Sequence, residues 1–81
     1  MQIQATYKMK EEAVGGVAFD GEYLWFTYVD GENCGLKRIN RETQEVNRHF
    51  EFDDFVAGIC FDGKDLWGNV SGKGISRIDA E

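Results

Sequence analysis

The chain has 81 residues and carries 15 acidic against nine basic side chains, a formal net charge of −6 at pH 7. This acidic balance argues against nucleic acid and against anionic membranes as partners, because both need clustered lysine and arginine. With 42% hydrophobic residues, ten glycines and no proline, the composition excludes a disordered chain and favours short strands joined by tight turns.

The N-terminal segment lacks the pattern of a signal peptide, and no apolar run approaches the length of a membrane span. We therefore expect a soluble, cytoplasmic protein. Cys34 and Cys60 form neither a disulfide framework nor a zinc motif. Cys60 is interpreted as a small core residue.

The predicted elements are all strands. Polar and apolar residues alternate over residues 2–9, as in a strand with one buried face. Residues 13–19 are almost continuously apolar, as in a strand that is covered on both faces. Turn residues then separate further segments rich in aromatic and β-branched side chains. The remaining predicted strands cover residues 23–29, 35–39, 45–52, 55–61, 65–70 and 74–78.

This order of strands reflects an internal repeat. Residues 16–25 return as residues 58–67, with six of ten positions identical, and residues 35–40 return as residues 74–79. Fixed periods of about 40 residues are typical of solenoids, propellers and arrays. The motif positions that we assign to the structural repeat are Phe19, Asp20, Gly21, Leu24 and Trp25, and Phe61, Asp62, Gly63, Leu66 and Trp67.

A four-stranded meander that recurs every 42 residues predicts the blades of a β-propeller. Residues 14–52 and 55–79 also resemble blades of the NHL, YncE and virginiamycin B lyase type, in which Gly-Val-Ala-Phe-Asp-Gly-x-x-Leu-Trp is followed by a Lys-Arg-Ile-Asp segment. The predicted fold class is all-β, with residues 13–52 as blade 1 and residues 55–79 as blade 2, which lacks its outer strand. Residues 1–9 would supply an outer strand to a neighbouring copy.

Two blades cannot close a ring. We expect a homo-oligomer, with six blades from a trimer or, as an alternative, eight from a tetramer. A fragment of a larger propeller is the other alternative. In the oligomer, residues 2–9 would pair with residues 74–78 of the next copy and seal the open edge.

Acidic side chains gather in the loops expected at one end of the ring. Converging carboxylates suit a divalent cation or a basic partner, and the alternative is a solvated surface. The residues are Glu11, Glu12, Asp30, Glu32, Asp53 and Asp54.

The other polar and aromatic candidates are interpreted structurally. Trp25 and Trp67 are expected to pack between blades, and Asp20 and Asp62 to form hairpin turns. His49, the single histidine, is expected on the solvated side of its strand.

The resemblance to virginiamycin B lyase would imply a histidine base and a metal on the central face, but no residue here matches that histidine. We therefore expect no catalysis and no cofactor other than a divalent cation. The predicted function is a binding or scaffolding module, with a carbohydrate or a cation as candidate ligands. The alternative is a metal-dependent lyase or hydrolase that uses the acidic loop residues.

Overall fold

The protein is described by a computed structural model, which covers residues 2, 3, 6 and 13–79. The strand predicted over residues 2–9 therefore lies largely outside the described residues, as do Glu11 and Glu12. The predicted all-β class is confirmed, and each of the other seven predicted strands is found with ends within two residues of the expected ones. The strands are Ala13–Phe19 (β1), Tyr23–Asp30 (β2), Asn33–Asn40 (β3), Val46–Phe52 (β4), Val56–Phe61 (β5), Leu66–Val70 (β6) and Gly74–Ile78 (β7).

The strands form two antiparallel meanders, sheet 1 with the order β1-β2-β3-β4 and sheet 2 with the order β5-β6-β7. The sequence repeat is also a repeat of cross-strand pairing. Ala18 lies opposite Trp25 in sheet 1, and Cys60 lies opposite Trp67 in sheet 2. The first strand of each sheet also carries a bulge at the same place. Equivalent positions of the two copies can therefore be compared directly.

One face of sheet 1, here the covered face, packs against sheet 2. Its residues Ala18, Trp25 and Leu36 form a buried cluster with Leu66 of sheet 2, and Leu36 is fully buried. Sheet 2 turns Ile59, Phe61, Leu66 and Ile78 toward this cluster. Apolar burial between the two sheets, worth about 25 cal/mol per Å², therefore holds the chain together.

The two sheets approach each other most closely at their first strands. A Cβ atom on Gly16 would lie 2.7 Å from Gly58 Cα and 2.9 Å from the backbone nitrogen of Ile59. Both neighbours are backbone atoms that cannot move aside alone. Only glycine at position 16 allows β1 and β5 to lie this close.

The outer face of sheet 1, which points away from sheet 2, has its own cluster. Phe26, Tyr28 and Ile39 are buried there, with Leu24 packed against them. On the same face Val17 is 58% exposed and Phe19 is 43% exposed. Sheet 1 is thus apolar on both faces.

The far face of sheet 2 points away from sheet 1 and is defined by Cys60, Trp67 and Ile75. Ile75 is 82% exposed. In the single chain the interpretation of Cys60 as a core residue is wrong, because this thiol is exposed there. Its equivalent Ala18 is buried only because the covered face of sheet 1 has sheet 2 packed on it.

The buried hydroxyl of Thr27 provides a test of the packing between the sheets. Thr27 is fully buried, and its Oγ1 has no hydrogen-bond partner among the described residues. Replacing Thr27 by Val keeps the shape and removes the unsatisfied hydroxyl, so we expect the free energy of unfolding to rise by about 1 kcal/mol. Thr27→Ser keeps the hydroxyl and loses the methyl group, so it should lower stability in parallel denaturant titrations. A Thr27→Val protein less stable than wild type would contradict this reading.

Candidate functional site

An aspartate links the first hairpin turn to the tryptophan of the repeat motif. Oδ1 of Asp20 accepts hydrogen bonds from the backbone N–H groups of Glu22 and Tyr23, at 2.8 and 2.7 Å. Oδ2 accepts a hydrogen bond from the indole N–H of Trp25 at 2.8 Å. One carboxylate therefore closes the turn and fixes the orientation of a buried ring.

The second copy repeats this arrangement. Oδ1 of Asp62 accepts from the N–H groups of Lys64 and Asp65 at 2.8 and 2.7 Å, and Oδ2 accepts from the Trp67 indole at 2.7 Å. The glycine after each aspartate has a φ of 100° or 101°, a backbone conformation that favours glycine. The spacing Asp-Gly-x-x-Leu-Trp thus has a structural reason in both copies.

These hydrogen bonds lower the pKa of both carboxyl groups. Burial raises the pKa of Asp20, but the donors Tyr23, Trp25 and Glu22, with the nearby charge of Arg38, outweigh it and hold the pKa below its usual value. The pKa of Asp62 is lowered by the N–H of Asp65, then by the Trp67 indole and the N–H of Lys64. Both groups are therefore ionised at neutral pH.

A cleft of about 490 Å³ lies between the two sheets at the end of the molecule that carries these turns. One wall is the covered face of sheet 1, with Tyr23, Trp25, Arg38 and Arg48. Sheet 2 supplies the apolar residues Phe61, Leu66 and Ile78 of the opposite wall. The remaining lining residues, here called the rim, are charged: Asp20, Glu22, Lys64, Asp65, Arg77 and Asp79.

Arg38 is held in place from two sides. Its guanidinium carbon lies 4.0 Å from the ring centroid of Tyr23 and 5.5 Å from that of Trp25. Its Nε donates a hydrogen bond to Oδ1 of Asn47 at 2.7 Å. Stacking and hydrogen bonding thus orient the plane of the guanidinium before any ligand arrives.

The register of sheet 1 places a second arginine beside the first. Arg38 lies opposite Trp25 on one side and opposite Arg48 on the other. Residues opposite each other in an antiparallel pair share a face, and like charges in that relation are unfavourable. The cleft wall therefore presents two adjacent cations.

Four of the acidic residues predicted as a ligand site are described, and they lie at the opposite end of the sheets. Asp30 is the last residue of β2, Glu32 belongs to the turn between β2 and β3, and Asp53 and Asp54 belong to the connection between β4 and β5. Oδ2 of Asp54 forms an ion pair with Nζ of Lys73 at 3.0 Å. Within the described part of the chain, no three His, Cys, Asp or Glu side chains are placed to hold a metal ion together.

A smaller cleft of about 270 Å³ lies at this acidic end. Asp53, Asp54 and Lys73 line it together with Phe52 and Val56. The ion pair between Asp54 and Lys73 is largely exposed, with side-chain exposures of 39% and 68%. Such a pair contributes little to stability.

His49 lies on the exposed part of β4, as expected, but it also has a specific partner. Its Nε2 is hydrogen-bonded to the hydroxyl of Tyr28, whose ring lies 4.9 Å from Nζ of Lys37. These residues lie on the outer face of sheet 1. The chain's one histidine is thus on the opposite side of sheet 1 from the larger cleft.

Comparisons with known proteins found no matching family model, no matching curated protein and no matching solved structure. Among the described residues, none belongs to a helix long and apolar enough to cross a membrane.

Sequence reasoning missed Arg38 and Arg48 as candidate functional residues. The repeat offered part of the signal, since Arg38 recurs as Arg77 in the matched segments. Arg48 has no such signal, because it reaches the cleft only through the register between β3 and β4.

The two linking aspartates predict sensitivity to acid. Because folding lowers both pKa values, the stability that these groups contribute is fully present above pH about 4, the unfolded-state value, and is lost as the pH falls through the folded-state values. We expect the melting temperature to drop below pH 4, and to drop less steeply in an Asp20→Asn, Asp62→Asn double variant. The double variant Asp30→Asn, Asp53→Asn removes the same number of charges at two exposed positions and is the charge-matched control. If the melting temperature of the Asp20→Asn, Asp62→Asn variant fell as steeply below pH 4 as that of the wild type, the two aspartates would not be the source of the acid sensitivity.

Proposed function

We propose that the chain is a two-bladed unit that closes a β-propeller ring with copies of itself and acts as a non-catalytic binding module. The observation that carries the proposal is the contrast between Leu36 and Ile75. These residues occupy the same position in the two copies, yet Leu36 is 0% exposed and Ile75 is 82% exposed. Within the described residues, sheet 2 covers Leu36, and no other sheet covers Ile75.

The complementary surface is present on the outer face of sheet 1. Val17 and Phe19 are exposed there, whereas the equivalent residues Ile59 and Phe61 of sheet 2 pack against the core cluster. The far face of one copy and the outer face of the next can therefore repeat the packing seen between sheets 1 and 2. This contact is head-to-tail, and such contacts give a closed ring when the rotation per copy closes.

Because each copy contributes two blades, the number of blades in the ring is twice the number of copies. Propellers have typically four to eight blades, so three copies give six blades and four give eight. We propose the trimer. Among the described strands, β7 pairs only with β6, and the strand predicted from sequence over residues 2–9 of a neighbouring copy is our candidate for its other edge.

The position of His49 supports a role without catalysis. It lies across sheet 1 from the cleft and is already hydrogen-bonded to Tyr28. Of the carboxylates that line the cleft, Asp20 already accepts hydrogen bonds at both oxygens, so it is not available as a general base. A cleft with oriented cations and an apolar wall suits recognition of a small ligand.

The ring can be tested by charging the far face of sheet 2. Wild-type protein should sediment as a trimer, and Ile75→Lys should give a folded monomer, because the new ammonium would have to be buried at the contact. Glu42→Lys introduces the same side chain in an exposed turn and should leave the trimer intact. Sedimentation equilibrium and circular dichroism read out assembly and folding. A trimer that survives Ile75→Lys would contradict the proposed contact.

The two glycines of the first strands give a second, independent test. A Cβ atom on Gly58 would have no atom within 4 Å in the chain, whereas one on Gly16 would meet the backbone of β5. By the repeat, Gly58 faces Gly16 of the next copy in the ring. Gly58→Ala should therefore weaken assembly while the two sheets stay folded, and Gly16→Ala should also destabilise the chain itself, by about 1–3 kcal/mol. Unchanged assembly of Gly58→Ala would argue against the ring.

A further inference from the structure

We propose that the cleft between the sheets binds a small monocarboxylate, with its carboxylate on Arg38 and Arg48 and its apolar body against Phe61 and Ile78. This inference rests on the binding role proposed above. It does not rest on the ring, because both walls of the cleft belong to one chain.

The distribution of charge points to an anionic group. The chain is acidic, with a net charge of −6, yet three of its four arginines line this one cleft. Arg38 and Arg48 lie opposite each other on the same face of sheet 1. An anion bound between them would relieve their mutual repulsion and give the pairing an energetic reason.

Arg38 is available to a ligand because nearby groups orient its guanidinium while leaving part of its hydrogen-bond donors unoccupied. Tyr23 and Asn47 fix its plane, and only its Nε is engaged in a hydrogen bond among the described residues. Asp20, whose carboxylate interacts electrostatically with Arg38, commits Oδ1 to the turn and Oδ2 to Trp25. The Nη groups of Arg38 therefore remain as donors toward the cleft.

The acidic residues of the rim limit the charge of the ligand. A planar guanidinium binds carboxylate and phosphate alike through paired N–H donors. However, four acidic residues line the same cleft, and they would repel a dianion more strongly than a monoanion. They are Asp20, Glu22, Asp65 and Asp79. The arrangement therefore favours one carboxylate over a phosphate group.

The opposite wall defines the rest of the ligand. Phe61 and Ile78 are half-buried and line the cleft across from the arginines. A volume of about 490 Å³ falls within the range of about 300–1,000 Å³ typical of small-molecule sites. An aryl or short alkyl group attached to the carboxylate would fill this space and gain apolar contact.

Isothermal titration calorimetry with matched probes tests the proposal. Phenylacetate carries the carboxylate and a ring, phenylacetamide keeps the shape without the charge, and phenylphosphonate adds charge. D-glucose represents a neutral polyol. We expect saturable binding of phenylacetate at one site per chain. Each of the other probes should bind at least about tenfold more weakly than phenylacetate.

Variants locate the binding. Arg48→Gln removes one exposed guanidinium and should weaken phenylacetate binding about tenfold, as loss of a charge-assisted pair does. Arg41→Gln makes the same change at the one arginine outside the cleft and should leave affinity unaltered. The proposal would be overturned if the two variants lost the same affinity for phenylacetate, or if phenylacetate showed no saturable binding. It would also be overturned if phenylacetamide bound as tightly as phenylacetate, or if phenylphosphonate or glucose bound more tightly.

The same samples separate this inference from the ring. Sedimentation reports assembly, and calorimetry reports the cleft. Phenylacetate binding by a monomer would refute the ring and support the cleft, whereas a trimer without binding would refute the cleft alone.

Discussion

Close contact between the backbones of β1 and β5 sets the geometry on which the rest of the molecule depends. Gly16 meets Gly58 with no room for a side chain between them, so the two sheets stack face to face. In the next positions across sheet 1, Thr27, Leu36 and Phe50 follow Gly16 in one row of cross-strand neighbours. Thr27 and Leu36 in this row are fully buried. The row nearer the first turn runs from Ala18 and Trp25 to the paired arginines. Along its strands, sheet 1 thus changes from a buried apolar row to a row that lines the polar cleft.

The strands and turns were predictable because their signals are local. Alternation and Asp-Gly turns act within a few residues, and the repeat supplied the hairpin signal Asp-Gly-x-x-Leu-Trp twice. The link from Asp20 to Trp25 was not predictable in the same way, since it depends on two side chains five positions apart meeting across a closed hairpin. The Arg48 position depends on a register that shifts between Arg38 and Ile39. A shift of one residue would move Arg48 to the other face.

The error over Cys60 shows where reasoning from repeats reaches its limit. Equivalent residues share secondary structure and register, but burial depends on what lies beyond the sheet. Ala18 and Cys60 each lie opposite a tryptophan on the neighbouring strand, but in the described structure only Ala18 has a second sheet packed over it. The same reasoning separates Leu36 from Ile75. Such differences between copies carry information that neither the sequence repeat nor a single sheet contains, because they identify the surfaces that remain to be covered.

Sheet 1 carries apolar residues on both faces. Among the described residues, sheet 2 packs on one face, while Val17 and Phe19 remain exposed on the other. The first three strands of sheet 1 and the three strands of sheet 2 have the same order and the same registers, so the proposed contact between copies would repeat this geometry. The twist of the strands turns each stacked sheet relative to the last. Repetition of that turn leads either to a ring or to an open array, and closure is favoured because it leaves no apolar face exposed. The fold and the cleft therefore have one origin. The stacking that buries Leu36 also brings the arginine row of sheet 1 opposite Phe61 and Ile78 of sheet 2.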